Sequence, residues 1–500
     1  MTAGGCKMEI RNTKNMKKNV IVFDRSNKKP LFPSELLAAN YHIAVLVVTT
    51  DTIANDMKEQ YKHDTRITHI LSMHDVEHLN GIPYLDYELL EVFRETQYKI
   101  EFAYHRWLND GMLATNRFIN ALCWWNHIFD TFHIDLVLID NLEHGYTYDI
   151  PAHIARHRGI PAFFVTSSTC HHVSILHHNC NTYIPLPLSQ TSEAEIENSL
   201  FYKFEPNTAR YSVKKIPCIK KVKRVLANII LNVFGQILVD FANCLIHKDF
   251  NTTMKTAAGV YHFPFWHKVY SLFYLKKMKR LYTSLSVQPQ ENENFIFYAM
   301  HFEPEGGTTV CVPLQNQLTI IQMLHNALPS GWKLYIKEHP HQFMLNNIEM
   351  GSYLYNFKWW KSIEFYQELR KLENLSFIDF NTSSKFLIEQ SKAIATINGT
   401  IYLESLFNNK PCFVFGGKDI LLQCAKNIIH VKNFANLQND LKKLSREPNV
   451  FDNSENFSQC LSYLKNYTTS YPSIFYPSPM YARIILHGIH DYLKNIEMVM

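Results

Sequence analysis

Residues 19–50, NVIVFDRSNKKPLFPSELLAANYHIAVLVVTT, decide the fold. Asn19–Arg25 and His42–Thr50 are near-continuous β-branched runs, and between them lies a helical stretch with Pro33 near its start. A run apolar on every position suits a strand buried on both faces, and a helix between two such runs gives the parallel connection of a doubly wound α/β domain. The same pattern continues outward. Ile134–Asp140 (IDLVLID) and Ile160–Thr166 (IPAFFVT) read as strands flanking a helix around Ile150–Arg158, and Tyr84–Asp130 is helical and aromatic-rich.

A second α/β pattern begins at Phe295–Met300 (FIFYAM). Asn316–Leu328 reads as an amphipathic helix and Trp332–Lys337 as a strand. Leu375–Ile378, Ala393–Ile397 and Pro411–Phe415 are further strands, with short helices at Phe386–Gln390 and Ile401–Phe407, and Tyr481–Leu493 is a closing helix. The chain therefore divides into a first Rossmann-like domain (1–191), a helical and basic connector with an insertion (192–290), a second Rossmann-like domain (291–470) and a C-terminal helix (471–500). Two such domains place a cleft between them, and ligands of open α/β sheets sit beyond the carboxyl ends of the strands.

Composition narrows the function. The chain has 500 residues, 46% hydrophobic and 19% charged, with a net charge of +5, too mild for a nucleic-acid-binding face. The ten cysteines include no C-x-x-C pair and suit reduced thiols. Met1–Asn19 lacks the apolar core of a secretory signal, and no run is long and apolar enough to span a bilayer, so a cytoplasmic protein is expected, peripheral at the inner face of the membrane if attached at all. The basic stretch Lys214–Arg224 beside an amphipathic segment suits an anionic membrane surface, an anionic acceptor or plain solvation.

The positions just after strands carry the chemistry. In Lys337-Glu338-His339-Pro340 the proline holds His339 extended, where its imidazole can serve a departing phosphate while Lys337 adds positive charge. In Asn398-Gly399-Thr400 the glycine permits close backbone approach ahead of a helix whose Glu404 can hold ribose hydroxyls; capping by Thr400 is the structural alternative. Ser383 and Ser384 are further phosphate contacts or helix caps. In Asp140-Asn141-Leu142-Glu143-His144-Gly145 a carboxylate can deprotonate an acceptor hydroxyl, with Glu143 the expected base and Asp140 its alternative. His301, Glu303 and Glu305 sit after the first strand of the second domain, placed to orient sugar hydroxyls. Cys170-His171-His172 with His177-His178 and Cys180 matches no zinc spacing, and no Asp-x-Asp pair ends a strand, so neither metal nor resident cofactor is expected.

The series His301-Phe302-Glu303-Pro304-Glu305, Asn316-Gln317, Leu328-Pro329, Leu334–Pro340, Asn398-Gly399-Thr400 with Glu404, and Lys410-Pro411 resembles the capsule polysaccharide biosynthesis family, which includes β-Kdo transferases and related transferases of nonulosonic acids. The match covers about residues 290–420; the first domain matches only in outline. The resemblance implies a GT-B fold and a CMP-activated acidic sugar donor (Kdo, a sialic acid or a relative). It also implies inverting, metal-independent transfer to a capsular polysaccharide or lipid-linked glycan. Carried over, His339 contacts or protonates the CMP phosphate with Pro340 fixing it, Lys337 supports it, Glu404 binds ribose and Glu143 is the base. Asn398-Gly399-Thr400 departs from the family's more frequent Thr-Gly-Thr. A UDP-sugar transferase or epimerase of the same fold is the alternative enzyme, and a non-catalytic polysaccharide assembly or export partner the alternative of another kind.

Overall fold

The β-branched runs pair in parallel, as their two-sided apolarity requires. The computed structural model describes residues 18–26, 29–79, 86–105, 111–141, 147–166, 173–178, 182–201, 241–242, 245, 251–256, 259–290, 292–303, 316–339, 342–343, 361–416, 420–452, 456–470 and 479–497. The first sheet is built from β1 (Asn19–Asp24), β2 (His42–Val48), β3 (Ile67–Ser72), β4 (Leu136–Ile139), β5 (Ala162–Thr166), β6 (Val173–His178) and β7 (Thr182–Ile184). Its order is β3-β2-β1-β4-β5-β6, parallel from β3 to β5 and antiparallel at β6 and β7. Alternate residues of β1 serve opposite faces: Ile21 and Phe23 enter one core cluster, Val20 and Val22 another. Each such fully buried side chain contributes about 1.5–3 kcal/mol. Gly159, at φ +69°, ends the helix Ile150–His157 in the left-handed region, and Ile160 N–H then closes on Ala155 O at 2.8 Å, turning the chain into β5.

After the helix Glu193–Phe201 come β8 (Asn251–Thr256) and β9 (Gly259–Pro264), an antiparallel hairpin, and the helix Phe265–Leu285. Within the helical and basic connector and insertion expected at 192–290 the chain thus also forms strands: Thr252, Thr253, Val260, Tyr261 and Phe263 are strand formers. Lys214–Arg224 lies outside the described residues.

The second sheet comprises β10 (Ser286–Val287), β11 (Phe295–Ala299), β12 (Lys333–Lys337), β13 (Leu375–Ile378), β14 (Ala393–Thr396), β15 (Cys412–Val414) and β16 (Ile428–His430). All its pairings are parallel, in the order β10-β13-β12-β11-β14-β15-β16. From its second strand onward this repeats the order of the first sheet, 3-2-1-4-5-6, the Rossmann arrangement. The expected α/β class with two Rossmann-like domains is what the chain adopts.

The chain then returns. β17 (Thr468–Ser470) pairs antiparallel with β6, and the helix Pro479–Glu497 buries Tyr481, Ile485 and Ile489 against the first sheet. Residues 468–470, inside the span read as the second domain, thus belong to the first. One core cluster runs across the boundary: Val173 and Ile175 of β6 and Ile196 and Leu200 join Phe295, Leu403, Leu461 and Leu464.

Candidate functional site

In each sheet's 3-2-1-4-5-6 run the chain reverses its direction of growth between the first and fourth strands, and it is beyond the carboxyl ends of such a pair that open α/β sheets bind ligands. In the second sheet these are β11 and β14, followed by His301 and by Asn398-Gly399-Thr400. His301 is buried, and its Nε2 lies 3.0 Å from Thr396 Oγ1 and 3.2 Å from Asn398 N. Asn398 N–H donates to this ring nitrogen. Gly399 N–H donates to Thr396 Oγ1 at 3.3 Å. With Asn398 N–H donating to it, Nε2 is an acceptor.

Close packing explains the glycine. A Cβ on Gly399 would lie 2.9 Å from Thr396 Oγ1 and 3.2 Å from His301 Cε1; a Cβ on Gly416 would lie 1.5 Å from Asn398 Oδ1. The turn after β14 is thus wedged between the His301 ring and the end of β15. Thr400 makes no capping bond to the helix Ile401–Phe407 and is exposed, so the capping alternative does not hold there.

Lys337, the last residue of β12, is buried and donates to Thr382 O at 2.6 Å and Ser384 Oγ at 3.0 Å. Burial lowers its pKa, against the charges of Glu404 and Asp379. Burial pushes the Glu404 carboxyl up to about 7, against the pull of Lys337. Ser383 is the N-cap of the helix Ser384–Gln390, accepting from Phe386 N, so its oxygen serves the helix while Ser384 serves Lys337.

His339 is half-buried, its ring 6.2 Å from that of Phe302. What fixes it was not visible in the sequence. Glu338 is fully buried and accepts from Lys361 Nζ at 2.7 Å, Tyr366 OH at 2.7 Å and His339 N–H at 2.8 Å. Lys361 also donates to His301 O, and Gln317 brackets the same residue, accepting from His301 N–H at 2.9 Å and donating to His301 O at 3.2 Å. Tyr282 OH accepts from Glu338 N–H and donates to Ile378 O. The backbone of buried Glu303 pairs with Gln342 through two bonds, at 2.9 and 3.0 Å. Glu305 and Pro340 lie outside the described residues.

In the first sheet the switch lies between β1 and β4. Phe23 is in register with Ile139, so Asp24 and Asp140 follow side by side, and Asp140 N–H bonds Phe23 O at 2.9 Å. Asp24 is fully buried and accepts from Ser26 N–H, Ser26 Oγ, Leu31 N–H and Phe32 N–H. Burial raises its pKa against those four bonds. Asp140 is a partly exposed residue whose carboxyl is pushed up to about 7, first by burial and then by the charge of Asp24, against Arg25. The sheet thus joins two acids more than a hundred residues apart in sequence. Glu143 lies outside the described residues; beyond it, Thr147 Oγ1 donates to buried Glu77 at 2.8 Å, and Tyr104 OH donates to the same carboxyl, which burial pushes up to about 7.

Of the His-rich stretch, His177 stacks on Phe164 at 5.3 Å and 13°, and His178 reaches Tyr492 OH at 3.2 Å. Both are packing residues of β6; Cys170, His171, His172 and Cys180 lie outside the described residues. One group among the described residues, Asp51, His74 and Asp75, brings metal-ligand atoms within 4.8 Å of one another. Its two carboxylates already bond Ser72 at a helix start. Among the described residues no helix is long and apolar enough to cross a membrane.

No protein-family model matches the chain and no curated protein matches it. Solved structures of similar shape include the UDP-GlcNAc 2-epimerase of Methanocaldococcus jannaschii, at 11% identity and a TM-score of 0.24 over 89% of this chain and 99% of that one. They also include UDP-GlcNAc 2-epimerase from Neisseria meningitidis, at 13% identity and 0.23 over 89% and 99%. A UDP-forming α,α-trehalose-phosphate synthase from Burkholderia vietnamiensis has 11% identity and 0.28 over 90% and 96%. These neighbours are UDP-sugar enzymes, and likeness this low assigns neither a substrate nor a reaction to this chain.

Proposed function

We propose that this chain is an enzyme that moves a sugar from a nucleotide-activated donor, with the donor phosphate held at the switch point of the second sheet and the proton handled at that of the first. One observation carries the reading: both switch points are furnished, and with complementary chemistry. The second offers a cation (Lys337), an imidazole (His301) seated against a tightly packed glycine turn, a further imidazole just after β12 (His339), and Glu404 for sugar hydroxyls. The first offers Asp140, sheltered enough to hold a proton near neutral pH and open enough to exchange it with a substrate.

Displacement at an activated sugar needs a base for the incoming hydroxyl and positive charge for the leaving phosphate. Asp140 fills the first role here and Lys337 with His339 the second. Glu143 remains the base that the resemblance implies. A CMP-linked acidic donor and a capsular or lipid-linked acceptor rest on the resemblance alone, while the similar solved structures are UDP-sugar enzymes, so the reading is held at the level of a nucleotide sugar. Calorimetric titration of CMP, UDP and GDP into wild type and Lys337→Ala tests it. Binding of CMP or UDP, weakened by the substitution, supports the reading and names the donor class; selective CMP binding points to the acidic-sugar transferase, UDP to a UDP-sugar transferase or epimerase. No binding of any nucleotide overturns it in favour of a non-catalytic assembly partner.

A further inference from the structure

The helix Phe265–Leu285, FWHKVYSLFYLKKMKRLYTSL, contains five Lys and Arg and not one Asp or Glu. Its inner face is set by Leu275, Met278 and Tyr282, at i, i+3 and i+7, all buried in the second domain's core. Rotating 100° per residue places Phe273, Lys276, Lys277 and Arg280, at i, i+3, i+4 and i+7, on the opposite side. All four are exposed, and Phe273 is 70% accessible. Among the described residues none of the four enters a hydrogen bond or ion pair, although the neighbouring helix Ile363–Arg370 carries exposed Glu364 and Glu368; Glu368 pairs with Lys371.

We propose that this stripe docks the protein on an anionic bilayer surface. Three cations ring an aromatic side chain that solvent exposes at a cost. An interfacial helix uses that pairing: the ring enters the headgroup boundary while the ammonium and guanidinium groups meet lipid phosphates. The docked helix lies flat, about 30 Å long. Its inner end is fixed to the site, since Tyr282 OH bonds both Glu338 N–H and Ile378 O at the strand ends that lead to His339. Membrane contact along this helix therefore holds the second switch point at a set height above the lipid.

The test uses the full chain in vesicle flotation, with pure phosphatidylcholine and with mixed phosphatidylcholine–phosphatidylglycerol vesicles, at low and high salt. Wild type should float with the mixed vesicles only, and release at high salt. The triple variant Lys276→Ala, Lys277→Ala, Arg280→Ala should partition on the order of a hundredfold more weakly. Phe273→Ser should lose about tenfold. Lys276→Arg with Lys277→Arg should bind like wild type. Unchanged circular dichroism and thermal midpoint are expected, because all four residues are exposed. Failure of wild type to bind mixed vesicles overturns the proposal. So does equal binding by the triple variant, as docking through Lys214–Arg224 would give, or binding of heparin in place of vesicles.

Discussion

The two sheets share one strand order and diverge completely at its switch point. In the first, β1 and β4 end in two carboxylates, Asp24 and Asp140; burial first, and then the charge of Asp24, raise the proton affinity of Asp140. In the second, β11 and β14 end in an imidazole, a hydroxyl and a glycine turn, with a Lys–Glu pair beside them. The same backbone topology thus carries paired acids in one half and, in the other, an imidazole and a lysine, which the proposed function reads as proton acceptor and anion seat. Fold fixes where chemistry sits, and the residues following the strands fix what it is. The supports differ as well. Asp24 is held by backbone N–H groups of its own loop, whereas Glu338 is held by side chains brought in from Lys361 and Tyr366.

That contrast can be broken most severely at Asp140. Asp140→Asn should lower turnover of the nucleotide sugar by about 10²–10⁴-fold. In wild type the rate should rise as pH passes through about 7 and Asp140 loses its proton, and this limb should be missing in the variant. Little change in the rate would pass the base to Glu143.

The support of the second site should break next. Lys361→Ala leaves the Glu338 charge buried without its cation, a loss of about 3–5 kcal/mol. Thermal unfolding should show a fall in midpoint of several degrees; an unchanged midpoint would mean that the pair does not hold the β12 turn.

A gentler change sharpens the first site. Asp24→Asn removes the neighbouring charge while leaving a buried side chain of similar size, so the Asp140 carboxyl should titrate at lower pH. The rising limb of the pH–rate profile should move down with it, and carbon-13 titration of labelled aspartates reads the same shift without any substrate. An Asp140 titration unmoved by this substitution would separate the two acids. The smallest effect is expected at Ser384→Ala, which removes one of the two Lys337 contacts and should cost about 0.5–1.5 kcal/mol of nucleotide binding. No change in calorimetric affinity there would mean that Thr382 O alone positions the lysine.

What could be read in the sequence follows the same division. The central strands β1, β2, β4, β11 and β12 announce themselves as unbroken apolar runs, and the strand-end positions of His301, Lys337, Asn398 and Asp140 follow from them. β10, β16 and β17 span two or three residues each, too short for any period, and β17 finds its partner β6 about 290 residues away. Glu338 read as a passive member of Lys-Glu-His-Pro because its partners Lys361 and Tyr366 lie more than 20 residues further along the chain. Asp24 read only as the end of a strand; sheet order alone makes it the neighbour of Asp140. Local pattern thus picked out the strand-end residues of the two candidate sites, while the contacts around them are set by tertiary pairing.

The central claim is that the nucleotide binds at the second switch point and the proton moves at the first. Calorimetric binding of the donor nucleotide to Gly399→Ala and Asp140→Asn, side by side, tests it most directly. A methyl group on Gly399 meets Thr396 Oγ1 at 2.9 Å and the His301 ring, so that variant should bind at least about tenfold more weakly, while Asp140→Asn should match wild type. Full affinity in Gly399→Ala, with binding lost in Asp140→Asn, would place the nucleotide in the first domain and contradict the account.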